Sequence, residues 1–144
     1  MNPLPVPSRG ERGASLGLRA SNSAELIQQV ERGFSFKTLH TLESRSGLPG
    51  AALAGLVGIP ERTLARRKSK GKFTPEESER LLRLGTVFEQ AVELFEGDRA
   101  AALRWLTAPR QALEGNTPLA YARTELGARE VEDLIGRLEH GVVS

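Results

Sequence analysis

Between Glu61 and Lys72 the chain carries six cations, Arg62, Arg66, Arg67, Lys68, Lys70 and Lys72, against a single acid. That density of positive charge suits a polyanion. Arginine can grip guanine O6 and N7 with two parallel hydrogen bonds, and a hydroxyl such as that of Thr63 can meet a base edge or a phosphate. Lysine acts more simply, as a charge beside phosphate. Such contacts orient a protein on a duplex and make its binding salt-dependent, but they do not read sequence. In a helix that turns Leu64 inward, Arg62 and Arg66 lie one turn apart, with Thr63 and Arg67 on flanking or opposite faces. Lys68, Lys70 and Lys72 are expected in the loop that follows. A solvated basic helix face would look the same by charge alone, so the surroundings must decide.

Other chemistry finds little footing. Ser69-Lys70-Gly71-Lys72 formally matches S-x-x-K, yet the rest of that hydrolase set is missing. Gly71-Lys72 lacks the upstream glycine of a phosphate-binding loop. The chain has no cysteine, which removes disulfides, thiolate zinc sites and cysteine nucleophiles. His40 and His140 are the only histidines, so a zinc site is not expected. Glu130, Glu132 and Asp133 surround an apolar helix stripe rather than converge. The expectation is a protein without catalytic residues, cofactor, metal or small-molecule substrate.

The elements that must position the basic run supply the deciding context. Leu48 to Arg67, LPGAALAGLVGIPERTLARR, reads as a helix, a reversal at Gly58 and a second helix. This is the pattern of a helix-turn-helix, whose second helix enters the DNA major groove. Pro49 and Pro60 stand at the two helix starts, where a missing N–H costs nothing. Leu53, Leu56 and Val57 supply a buried stripe, and the small residues Ala51, Ala52, Ala54 and Gly55 are expected to let the two helices pack closely. Upstream, Leu26, Ile27 and Val30 predict a helix from Ser23 to Gly33, and Phe36, Leu39 and Leu42 another that stops at Gly47.

Downstream, Thr74-Pro75-Glu76-Glu77 is a capping box with proline in the first turn. The helix it opens keeps Leu81, Leu84, Phe88, Ala91 and Phe95 at alternating three- and four-residue spacing. Leu82, Val87, Val92 and Leu94 lie partly off that stripe, which implies a central helix touching both halves of the chain or a second subunit. Gly97-Asp98 ends it and caps a short helix from Arg99 to Thr107. Thr117-Pro118 starts another, expected to run to about Thr124. Gly127 is read as a further break. A last helix, about Ala128 to Glu139, aligns Val131, Leu134, Ile135 and Leu138, so Leu138 is expected in the core. No segment reads as a strand. The fold class is all-α.

Three parts follow: a disordered or loosely attached tail over 1–23, rich in Pro, Gly, Ser and Arg; a helix-turn-helix domain over 24–84; and a C-terminal domain over 85–144. Residues 1–84 carry 14 Lys/Arg and 8 Asp/Glu, whereas residues 85–144 carry 6 and 10. A basic half and an acidic half suggest two partners of different electrostatic character. No apolar run approaches the ~20 residues of a membrane span. The opening residues have no secretory core, so a cytoplasmic protein is expected.

The second half is specific. Trp105-Leu106 followed by Pro109, then Leu113, Gly115 and Pro118-Leu119, then a helix ending Arg137-Leu138-Glu139-His140-Gly141, resembles the antitoxins of the Xre–MbcA–ParS family. Upstream, Arg62-Thr63-Leu64 with Arg66-Arg67, and Glu77 to Leu81 with Arg83-Leu84, resemble the same family, over about residues 33–144. The resemblance implies an all-α homodimer with a DNA-binding part and a C-terminal part that binds a RES-domain toxin, an NAD-destroying protein. It implies that the antitoxin blocks entry to the NAD site, represses its own operon and has no catalytic activity. It places Trp105 in the motif that shapes the C-terminal domain, and Arg137, Leu138, Glu139, His140 and Gly141 in the motif nearest the toxin. Glu114 departs from the pattern, where a glycine is expected beside Gly115.

The residues by themselves leave alternatives open. Trp105 suits a core anchor or a partner contact, and His140 a solvated side chain or a binding one. The adjacent Val142 and Val143 could plug a pocket or fray. The competing function is a stand-alone helix-turn-helix repressor whose C-terminal half only dimerises or senses a ligand.

Overall fold

In the computed structural model, which describes residues 12–141, the described residues form eight α-helices and no strand. They are α1 (Ser23–Arg32), α2 (Lys37–Ser46), α3 (Gly50–Leu56), α4 (Glu61–Lys70), α5 (Pro75–Leu94), α6 (Arg99–Leu106), α7 (Pro118–Tyr121) and α8 (Glu125–Glu139), with 3₁₀ turns at Ala14–Leu16 and Gln111–Leu113. The expected all-α class holds. An isolated antiparallel bridge pairs Ser35 with Lys72.

α5 is the axis of the fold, and its start follows from local chemistry. The Thr74 hydroxyl accepts the Glu77 N–H, the Glu77 carboxylate accepts the Thr74 N–H, and Pro75 fills the first turn. Leu81, Leu84, Val87, Phe88, Ala91 and Val92 are all buried, on more than one side of the helix. They meet α6 and α8 on one side of the chain's connectivity and α1, α2 and the Ala14–Leu16 turn on the other. The off-stripe apolar residues are thus covered by the two halves of a single chain. One core spans both halves, since α5 has no break between residues 84 and 85.

The expectation of a loose tail through residue 23 needs correction from Gly13 onward. Leu16 is buried against α2 and α5. The Glu89 carboxylate, itself buried, accepts the backbone N–H groups of Gly13 (3.2 Å) and Ser15 (2.8 Å) and the Ser15 hydroxyl. The Arg45 guanidinium donates to the Ala14 carbonyl. Burial raises the Glu89 carboxyl above the usual range; the donors from Ser15 and Gly13, with the charge of Arg12, pull it back only in part. Composition hid this segment, because a short Gly- and Ser-rich stretch with one deeply buried leucine shows no periodicity.

Two further boundaries differ from expectation. α8 begins at Glu125, three residues early, because the Thr124 hydroxyl caps it by accepting the Gly127 N–H. Gly127 is therefore no break. It is where the helix passes the end of α7: a β-carbon there would lie 1.8 Å from the Tyr121 carbonyl oxygen. α7 correspondingly stops at Tyr121 rather than near Thr124. Of the small residues of α3, only Ala54 is buried; Ala51, Ala52 and Gly55 face outward.

Candidate nucleic-acid interface and C-terminal surface

The helix-turn-helix is built from α3 and α4. Gly58, at φ 70°, makes the reversal, and the Ile59 N–H returns to the Ala54 carbonyl at 2.9 Å. Leu53, Ala54, Val57 and Ile59 are buried, and Leu64 packs against the same core, so α4 has its inward face fixed. Arg80 of α5 braces the turn by donating to the Val57 carbonyl at 2.8 Å. Glu43 of α2 braces the other end of α3 by accepting the Gly50 N–H. Neither brace was visible in the sequence, since each joins residues far apart in the chain or outside any helix-start pattern.

The outward face of α4 carries Arg62 and Arg66, both exposed, with Thr63 half-buried between them. The Arg66 guanidinium donates to the Thr63 hydroxyl at 3.4 Å, a long bond that leaves most of its donors free. Lys68 and Lys70 are exposed as expected, but they stand in the last turn of α4, not in a loop. The helix continues because Gly71, left-handed at φ 79°, terminates it only after Lys70. Lys72 follows, exposed, in the segment that pairs with Ser35. That pairing, with Phe36 N–H on the Gly71 carbonyl at 2.8 Å, places Lys37, exposed at the start of α2, next to the end of α4. Distance in sequence concealed this cation.

Arg67 is the exception among the basic residues. Its Nε donates to Glu77 Oε1 at 2.7 Å, with the two side chains 18% and 8% exposed. The expected free cation is turned into the protein. Burial by itself would raise the Glu77 carboxyl, but Arg67 and the two hydrogen bonds with Thr74 outweigh it and hold the carboxyl below its usual range. The outcome is a ridge of Arg62, Arg66, Lys68, Lys70 and Lys72, none of which forms an ion pair among the described residues.

At the other end of the chain, α8 buries Val131, Leu134 and Ile135 and exposes its last turn. Arg137, Glu139, His140 and Gly141 are exposed. Leu138, expected in the core, is 36% exposed, at the edge where the stripe runs out of neighbours. Trp105 sits in the core at 8% exposure, with the Arg110 guanidinium 5.2 Å from its ring centre and donating to its carbonyl at 3.2 Å. It is a core anchor of the C-terminal half. Val142 and Val143 lie outside the described residues. Among the described residues no cluster of three or more His, Cys, Asp or Glu is placed to hold a metal, and no helix is long and apolar enough to cross a membrane.

An all-α helix-turn-helix domain fused through one long helix to a second helical domain is the class that the geometry defines. The family comparisons divide the chain the same way. Residues 25–85 match the antitoxin Xre-like helix-turn-helix domain, and residues 90–141 match the antitoxin Xre/MbcA/ParS C-terminal toxin-binding domain. An Antitoxin Xre from Yersinia enterocolitica is 40% identical over 144 residues, covering 99% of this chain and 97% of the relative. Antitoxin Xre from Photorhabdus laumondii is 36% identical over 90% of this chain and 88% of its own. The Pseudomonas putida protein of the same name is 33% identical, over 81% and 72%. The chain belongs to the Xre family of antitoxins.

Proposed function

We propose that this protein neutralises a cognate RES-domain toxin that degrades NAD, by placing its C-terminal turn across the entrance of the toxin's active site, and that it represses its own operon through α4. The reading is carried by one observation: the toxin-binding family match ends on residues that stand exposed at the C-terminal end of α8. Arg137 and His140 would meet the polar or anionic walls of such a site, with Leu138, Glu139 and Gly141 beside them and Val142 and Val143 beyond. Arg62, Thr63 and Arg66 would read bases, while Lys68, Lys70 and Lys72 would neutralise phosphates. A homodimer suits two operator half-sites. The work is done in the cytoplasm and involves no catalysis by this chain.

The test is co-expression with the protein encoded by the adjacent gene. Rescue of growth together with preserved cellular NAD is expected. Growth arrest despite full antitoxin expression would refute the assignment. A stand-alone repressor would have no such neighbour, and loss of the last eight residues would then alter repression at most.

A further inference from the structure

We infer that Glu77 is a positioning residue for sequence reading by α4, acting through Arg67. This rests on the reading of α4 as the DNA-contacting helix and deepens it. One carboxylate oxygen, Glu77 Oε1, accepts both the Thr74 N–H at 2.9 Å and the Arg67 Nε–H at 2.7 Å. The first bond fixes Glu77 to the start of α5, the helix on which the whole core is assembled. The second fixes the C-terminal turn of α4 to that same point. α4 itself has no fully buried residue: Leu64 is only partly covered, and nothing else on the helix packs deeply. Its roll about its own axis therefore rests on Leu64 and the Arg67–Glu77 pair within the helix, and on the flanking chain at Ile59 and Gly71. The pair is the one side-chain hydrogen bond from α4 to α5 among the described residues; without it the helix is aimed by Leu64 and the flanking chain alone, and a small roll or tilt would carry Arg62 and Arg66 away from any base they address. Base readout tolerates little of this, since bidentate arginine geometry is fixed, whereas point charges on phosphate tolerate it well.

The consequence is a division of labour within one basic run. Arg62, Arg66, Lys68, Lys70 and Lys72 face outward; Arg67 faces inward and aims them. Losing the pair should then reduce discrimination between sequences while leaving the general attraction to DNA in place.

The experiment uses the full chain, a duplex that the unaltered protein selects from a random-sequence library, and a random-sequence duplex as the competitor. Glu77→Gln keeps an oxygen for the Thr74 cap, because glutamine also completes a capping box, but removes the charge. Arg67→Met keeps the aliphatic stem. Circular dichroism and a melting curve verify that each variant is folded. Each variant should lose affinity for the selected duplex by about tenfold, the order of one base contact. Affinity for the random duplex and the slope of log affinity against log salt should stay unchanged, and the double variant should lose no more than either single one. If Arg67→Met instead weakens both duplexes alike and lowers the salt slope by about one, Arg67 is a phosphate contact and the inference is overturned. Unchanged affinity of folded Glu77→Gln for the selected duplex would overturn it too. If the unaltered protein selects no duplex at all, it is the DNA reading of α4 that fails, and the two failures are told apart.

Discussion

Glu114 adopts φ 57° and ψ 30°, a left-handed conformation that glycine holds without steric cost. The family resemblance points to glycine at this position, and the backbone shows why. Glu114→Gly should raise stability by about 0.5–1 kcal/mol, read as a higher urea midpoint; a lower midpoint would mean that the side chain compensates for the strain. Glu77 makes a pH-dependent contribution of definite sign. Its carboxyl titrates lower in the folded chain than in the unfolded one, so its stabilising share is present above the unfolded value near ~4.3 and drains away as pH falls through the folded value. Glu89 runs the other way: its folded value is raised, so its share is present at low pH and is lost as pH rises through that value. Replacing Glu77 by Gln should flatten the acid limb of stability measured by urea midpoints from pH 3 to pH 7. Residues such as Thr74 and Thr117 were legible because a cap involves partners only three positions away. The Arg67–Glu77 pair was not, because both residues lay inside patterns that already had an explanation, one as a DNA cation and the other as a cap.

Among the elements, the helices announced themselves through spacing and caps, and their errors were local. α8 starts early because Thr124 outranks Gly127 as a signal once the chain is folded, and α4 runs on to Lys70 because Gly71 is its stop. The 3₁₀ turn before α1 was illegible for a different reason. Its anchor is a carboxylate more than seventy residues away, Glu89, and no periodic pattern can report such a partner. If this turn is part of the core, Leu16→Ala should cost about 2–5 kcal/mol of stability, visible in chemical denaturation; a cost under about 0.5 kcal/mol, as at an ordinary surface site, would return the segment to the tail. α4 makes a prediction of its own kind. Arg66→Ala should weaken binding to a selected duplex by about 1–3 kcal/mol. Lys70→Ala should weaken selected and random duplexes alike and reduce the salt slope by about one. A titration at several salt concentrations separates the two behaviours.

For the molecule as a whole, the sequence of residues 1–84 is basic and that of 85–144 acidic, and the two family-matched regions, 25–85 and 90–141, meet along α5. Because one uninterrupted helix runs through the single core of both halves, the basic ridge of α4 and the exposed turn after Ile135 stand on one packed body. The removal of that last turn deletes no buried side chain among the described residues, so folding and DNA binding should stay intact. The decisive measurement expresses the chain truncated after Gly136 beside its cognate toxin and follows cellular NAD and growth, with duplex binding by the same truncated protein as the control for folding. NAD should collapse and growth should stop although the truncated chain still shifts the duplex. Protection of NAD equal to that given by the intact chain would contradict the claim that these final residues stopper the toxin.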